Sequence, residues 1–374
     1  MSTDQKMRIY LDYNATSPLV DNVKTLLAGG DFLFANPSSQ HSSGKKAKHA
    51  ITEVGESLFA YFSLAPEQFN LFYHSGATEG INTIFNLGPK DALVYFESDH
   101  PAVLTLAKQL DQKGILTVKC PITKDGSFDI DDCIKKINSI QDKDSIWLNY
   151  TFMHNETGIK WDLNKAKKIK EQTAALIHVD AVQSVGKLDT ARDLLPQLDA
   201  YTYSAHKFGA LKGIGFTFIR SKHTVKPLIV GGQQQGSMRA GTINTHGILS
   251  IGAAIKFLNL CDDFLRLNKL KQKIITILES NSNIEVIKND SCNTVCFVHT
   301  QLKADLLLVH FDMAMLDVSS GSACSAGSFK PSQTLIAMGY KDRAANNIRI
   351  SLGHENLGQE EQIKKRLTAL MTKL

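Results

Sequence analysis

An alternation through the first two-thirds of the chain constrains the fold most. Short apolar runs, Asn70–Tyr73, Ala92–Phe96, Ser145–Tyr150, Leu176–Val179 and Gly215–Ile219, are separated by segments with helical patterning such as Trp161–Gln172. Runs of this length between helical segments read as strands, and strand–helix alternation gives an α/β unit with a mostly parallel sheet. In such a sheet ligands gather beyond the carboxyl ends of the strands. The residues that follow each apolar run are therefore where a site is expected.

Two of those ends carry a matched pair. The run Leu176–Val179 delivers Asp180, and the run beginning at Ala200 delivers Ser204, His206 and Lys207. The 27 residues from Asp180 to Lys207 leave room for a strand, a connection and a second strand. An amine that forms a Schiff base, with a carboxylate for a pyridinium nitrogen, is what pyridoxal phosphate (PLP) needs of a protein. Each residue alone has a plainer reading: Asp180 capping a turn, Lys207 on the surface, His206 as a satisfied core histidine.

Val179–Lys187, Ser204-Ala-His206-Lys207 and Ser319–Cys324 together resemble the PLP-dependent cysteine desulfurases, fold-type-I enzymes of the class V aminotransferase kind. The resemblance runs nearly end to end, from Tyr10–Thr16 to Ile348–Gly353. It implies a large PLP-binding domain over 15–257. A smaller α+β domain, 258–374 with 1–14, would carry the cysteine loop. It implies a homodimer acting on L-cysteine, giving L-alanine and a persulfide that passes to an acceptor protein such as an iron–sulfur scaffold.

The resemblance also assigns residues. Lys207 holds PLP and moves the substrate α-proton, Asp180 faces the pyridine nitrogen, and Gln183 lies beside the cofactor. Ser204 and His206 bind its phosphate. Ala77 and Thr78 join them, in a Ser75–Gly80 turn whose small residues and helix N-terminus suit an anion. His100 stacks on the ring and handles protons. Asn155 approaches the 3-oxygen; its neighbour His154 departs from the asparagine usual in the family. Thr242 serves the partner's site. Just before it, Gly231–Gly236 is rich in glutamine where the family has a His-Glu-Arg pattern. Arg349 forks onto the substrate carboxylate, a role that suits a planar guanidinium, with Asn36 assisting. Cys324, in a loop of small polar residues, is the nucleophile. Within this fold a selenocysteine lyase or another class V aminotransferase is the alternative, distinguished by dependence on Cys324. A non-catalytic scaffold is the alternative from another class, and the glutamine-rich stretch is the feature that leans that way.

Composition is consistent with this. The formal charge of +5 over 374 residues is small, and the basic clusters Lys165–Lys168 and Lys364–Arg366 read as solvated helix faces, so nucleic-acid binding is not expected. The N-terminal Met1–Lys6 has no apolar core, and the apolar stretch Gly247–Ile255 is cut off by Lys256, so neither a secretion signal nor a membrane span is expected, and the protein is expected in the cytoplasm. The six cysteines are scattered, against a disulfide framework. Cys292 and Cys296 share a spacing with metal ligands, but Cys292–Val298 reads as a strand that packs them in a core.

Overall fold

A computed structural model of the chain describes residues 7–29, 33–260, 263–321 and 331–374. In chain order its strands are β1 (Ile9–Tyr10), β2 (Phe69–His74), β3 (Asp91–Phe96), β4 (Leu116–Cys120), β5 (Ser145–Thr151), β6 (Leu176–Asp180), β7 (Ala200–Ser204), β8 (Gly215–Arg220), β9 (Ile284–Ile287), β10 (Thr294–His299), β11 (Leu316–Asp317) and β12 (Asn347–Ser351). Seven of them form one sheet in the order β2-β8-β7-β6-β5-β3-β4. Strands β3 to β7 pair in parallel, and β8 runs antiparallel to both β2 and β7. This is the mostly parallel α/β sheet that the alternation predicts. Strands β6 and β7 sit near its middle with almost every residue buried, which is why they read as unbroken apolar runs.

The sheet is sandwiched between two apolar clusters. On one face Phe72, Ile84, Phe85, Leu93 and Trp147 pack with residues of the helices Ala77–Ile84 and Pro101–Gln112. On the other lies the largest cluster, with Leu148, Tyr150, Tyr203, Phe216 and Ile251 among its members. A second sheet, β12-β10-β9, is antiparallel, and β1 pairs in parallel with β11. Ile9 and Leu11 thereby join Val295, Phe297, Ile348 and Ile350 in a third cluster.

Three details differ from the pattern-based reading. Strand β4 carries no apolar run, because it lies at the sheet edge and only Cys120 is buried. Residues 247–280, whose patterning reads as one long helical stretch, form two helices, Thr245–Leu260 and Phe264–Leu278. The strand expected over Cys292–Val298 begins at Thr294, after a turn in which the Ser291 hydroxyl accepts from the Asn293 and Thr294 amides. Cys292 and Cys296 are both buried, and among the described residues no group of histidine, cysteine and carboxylate side chains could hold a metal. Among the same residues no helix is long and apolar enough to cross a membrane.

Candidate active site

Strand register assembles the site. The C-terminal residues of β2 and β7, His74 and Ser204, both pair with Gly215 of β8. Asp180, at the end of β6, pairs with Thr151 on one side and Thr202 on the other. The loops after β2, β3, β5, β6 and β7 therefore leave one edge of the sheet together.

Asp180 is buried, and among the described residues its carboxylate accepts one hydrogen bond, from the Val182 amide at 3.1 Å. Burial pushes it up to about 6, against the pull of that amide and of Lys207. A buried carboxylate with so little solvation calls for a cationic partner. Lys207 lies in the turn after β7, its Nζ donating to the carbonyls of Asn14 and Ala15 at 2.8 Å each. His100 caps the helix Pro101–Gln112 by accepting the Ala102 amide on Nδ1. Burial and the nearby Lys207 amine lower it to about 4, so it is neutral with Nε2 protonated.

The turn after β2 opens the helix Ala77–Ile84, whose N-terminus meets Ser204: a Cβ on Gly76 would stand 3.8 Å from the Ser204 hydroxyl. That hydroxyl caps no backbone group. Thr78 is exposed and Ala77 half-buried. A buried polar ladder lies under this helix, one residue from each of five adjacent strands. Asn149 Oδ1 meets His178 Nδ1, His178 Nε2 meets Thr202, Thr202 meets Thr217 and Thr217 meets His74 Nε2, all within 2.8–2.9 Å. Gly80 packs on it so closely that a Cβ would come 2.5 Å from His74 Nε2.

The N-terminal segment threads through the middle, and no local pattern marks it for a role. Asn14 accepts on its carbonyl from Lys207 and from Gln183 Nε2, and its side-chain amide donates to the Asn155 carbonyl at 3.1 Å. Thr16 meets His206 Nδ1 at 3.0 Å. Burial and the neighbouring lysines lower His206 to about 4. Asp12 pairs with Arg349 Nη2 at 2.7 Å, while Arg349 Nη1 donates to the Asn155 carbonyl. Arg349 is buried and its Nε has no partner among the described residues, leaving one donor unsatisfied. Gln183 is fully engaged, its Oε1 accepting from Lys187 at 2.5 Å. Lys187 is itself buried, and burial together with Lys207 holds its amine well below the usual lysine range. The sequence cue for it is a lysine closing a helical turn four residues after Gln183.

The side-chain amide of Asn155 makes no hydrogen bond among the described residues, whereas its carbonyl makes two. Asn36 is exposed, closing a turn on the Ser38 amide, and among the described residues no contact joins it to Arg349. Thr242 is exposed and lines a cavity of about 220 Å³ with Ser75, Gln235 and Arg239 of its own chain. Cys324 lies outside the described residues. The glutamine-rich segment serves the sheet: the Gln235 side chain accepts from the Tyr73 amide and donates to the Tyr73 carbonyl, pairing with β2 as a strand would. A cavity of about 710 Å³ is lined by Lys187 and Lys207, among others, and by none of Asp180, His100 or Arg349.

The residues present fit PLP. Among the described residues Asp180 has no cation in direct contact and the Asn155 side-chain amide has no partner, the Ser204 hydroxyl and the helix Ala77–Ile84 face one another as an anion cradle, and the Lys207 amine acts on Asp180 through its charge.

The comparisons agree with this geometry. The model of the aminotransferase class-V family matches residues 9–365. A cysteine desulfurase IscS from Dictyoglomus turgidum is 32% identical over 93% of this chain and 90% of its own length. A second, from Buchnera aphidicola subsp. Schizaphis graminum, is 30% identical over 96% and 91%. The crystal structure of a NifS-like protein from Rickettsia africae, 24% identical, superposes with a TM-score of 0.87 over 98% of this chain and 99% of that one, which establishes the shared fold, PLP fold type I. The chain belongs to the aminotransferase class-V family.

Proposed function

We propose that the protein is a PLP-dependent cysteine desulfurase, converting L-cysteine to L-alanine and leaving the sulfur as a persulfide on Cys324. The observation that carries this reading is the under-solvated Asp180 carboxylate and the Lys207 amine at neighbouring strand ends, with Arg349 opposite. Relatives named cysteine desulfurase, at 30–32% identity over nearly the whole chain, favour this chemistry within the family. PLP, when bound, supplies an electron sink for the pair released at the substrate α-carbon.

The chain's own groups do the rest. Asp180 supplies the charge that keeps the ring nitrogen protonated. Ser204, His206, Ala77 and Thr78 hold the phosphate, Asn155 and Gln183 border the ring, and Arg349 takes the substrate carboxylate, with Asn36 at the rim. Lys207 removes the α-proton and returns one later. His100, neutral and with Nε2 protonated, stacks over the ring and passes a proton. The Cys324 thiolate attacks the substrate sulfur: an S–S bond forms, the Cβ–S bond breaks, and the electron pair left on carbon ends as a C–H bond. L-cysteine and a thiol thus become L-alanine and a persulfide.

The same proposal takes 15–257 as the cofactor-binding domain and 258–374 with 1–14 as the smaller one. It places the enzyme in the cytoplasm as a homodimer, with Thr242 reaching the partner's phosphate site, and has it hand sulfur to an acceptor protein such as an iron–sulfur scaffold. The pairing of Gln235 with β2 explains the glutamine-rich stretch without a loss of catalysis. The test is incubation of the PLP-loaded protein with L-cysteine, with and without a reductant. Equimolar alanine and sulfide in the presence of reductant are expected; absence of alanine refutes the reading.

A further inference from the structure

The residues on either side of Asn155 point away from the cofactor cleft and into a seam with the β10–β12 sheet. Glu156 is half-buried there. One of its carboxylate oxygens, Oε2, touches both ends of the segment that carries Cys324. On the entry side, a Cβ on Gly321 would fall 2.3 Å from this oxygen, so a side chain there would push the carboxylate aside. On the exit side the Ser332 hydroxyl donates to it at 2.5 Å.

Each end has a second tether. The Gly321 amide donates to Asn347 Oδ1 at 2.6 Å, and Ser319 pairs with Arg349 through both backbone groups. The Ser332 amide donates to the Ala344 carbonyl, and its hydroxyl also accepts from the Leu335 amide. His154 completes the seam. Its Nε2–H donates to the Ser98 carbonyl at 2.8 Å, two residues before His100, and lies 3.1 Å from the Thr334 hydroxyl. Its Nδ1 accepts from the Glu156 amide. The histidine that departs from the usual asparagine therefore joins the loop of His100, the loop of Asn155 and the helix Gln333–Ala337.

We infer that Glu156, supported by His154, is a positioning residue for sulfur transfer: it fixes Gly321 and Ser332, the two ends of the Cys324 segment, against the loop that presents Asn155 to the cofactor. Cys324 is three residues along the chain from Gly321, and three residues span at most about 11 Å. A small displacement of Gly321 is therefore a large fraction of the tolerance that sulfur attack allows, since reacting atoms must come within roughly 3–3.5 Å. Burial pushes Glu156 up to about 7, while Ser332 and Arg349 pull it down. Cys296, which also faces it, is pushed up to about 12 by burial and stays a thiol.

This inference rests on the desulfurase reading, and two readouts separate them. The first needs no activity: hydrogen–deuterium exchange of the peptide spanning Gly321 to Leu335 in the PLP-loaded protein. Glu156→Ala is expected to speed exchange there at least ten-fold, and Glu156→Gln, which keeps an acceptor for Ser332, to restore most of the protection. The second is single-turnover reaction with L-cysteine. Glu156→Ala should slow persulfide formation at least ten-fold while the substrate-induced change in the visible spectrum keeps its concentration dependence within about two-fold. If Glu156→Ala proves insoluble, Ser332→Ala removes the hydroxyl contact to Glu156, together with its cap on Leu335, and should show the same split to a smaller degree. Unchanged exchange in these variants overturns the inference, as does equal loss of substrate binding and sulfur transfer. A wild-type protein that forms no persulfide overturns the desulfurase reading instead, with the exchange result still deciding whether Glu156 holds the two ends.

Discussion

Asp99 offers the sharpest test of the electrostatics beneath the cleft. It is buried next to His100, with Oδ2 accepting from the Phe96 amide at 2.9 Å and Oδ1 from the Thr151 hydroxyl at 2.8 Å. Burial, with Asp180 nearby, pushes its carboxyl up from 3.8 to about 7, against those hydrogen bonds. Between about pH 4 and pH 7 the folded protein holds a proton that the unfolded chain has lost. The stability this group contributes is therefore complete below the unfolded value and is lost as the pH rises toward the folded one. At about 1.4 kcal/mol per pH unit, the loss from this single group is on the order of 4 kcal/mol across the window. Asp99→Asn removes the proton and keeps the shape. The cofactor-free wild type should lose on the order of 3 kcal/mol more than the variant between pH 5 and pH 7.5, read as the difference in urea midpoints multiplied by the common slope. Asp180 and Glu156 titrate in the same direction in both proteins and largely cancel in the comparison. Parallel stability profiles for the two proteins would refute a buried, protonated Asp99.

Three other substitutions probe separate parts of the account. Gly80→Ala places a Cβ 2.5 Å from His74 Nε2 and 2.9 Å from Thr202 Cγ2; it should cost about 1–3 kcal/mol of stability and weaken PLP binding by lifting the helix Ala77–Ile84, as seen by thermal melting and cofactor titration, and an unchanged melt would contradict the close packing. Asp12→Asn leaves the buried Arg349 guanidinium without its counter-charge and should destabilise the protein by about 2–4 kcal/mol, most of it recovered in the double variant with Arg349→Met; additive losses would argue against the pair. Lys207→Ala should abolish the PLP adduct trapped by borohydride, and mass spectrometry finding the adduct on another lysine, Lys187 included, would overturn the assignment.

What the sequence makes legible is what one strand and its following loop contain. Asp180 and Lys207 are visible because each follows an apolar run in the middle of the sheet. The turn at Ser75–Gly80 is visible through its small residues. Contacts between distant segments are not. Asp12 and Arg349 are 337 residues apart, and the hydrogen bonds from Asn14 to Asn155 and from Lys207 to Asn14 also cross long stretches of chain. No local pattern marks a carbonyl that receives a lysine. Glu156 reads as a loop carboxylate, and only the approach of Gly321 and Ser332 gives it a partner. Strand β4 escapes notice because an edge strand buried at one residue has no apolar run. The glutamine-rich stretch reads as a departure from a pattern, whereas Gln235 uses its amide to extend the hydrogen bonding of β2.

The central claim is that sulfur passes from L-cysteine to Cys324, and mass-spectrometric mapping of the persulfide tests it most directly. After L-cysteine is added to the PLP-loaded wild type, the extra sulfur should map to the peptide containing Cys324. The Cys324→Ser protein should keep its PLP and its spectral response to L-cysteine but form no persulfide. Sulfur transfer by Cys324→Ser at the wild-type rate, or a persulfide mapped to another cysteine in the wild type, would contradict the account.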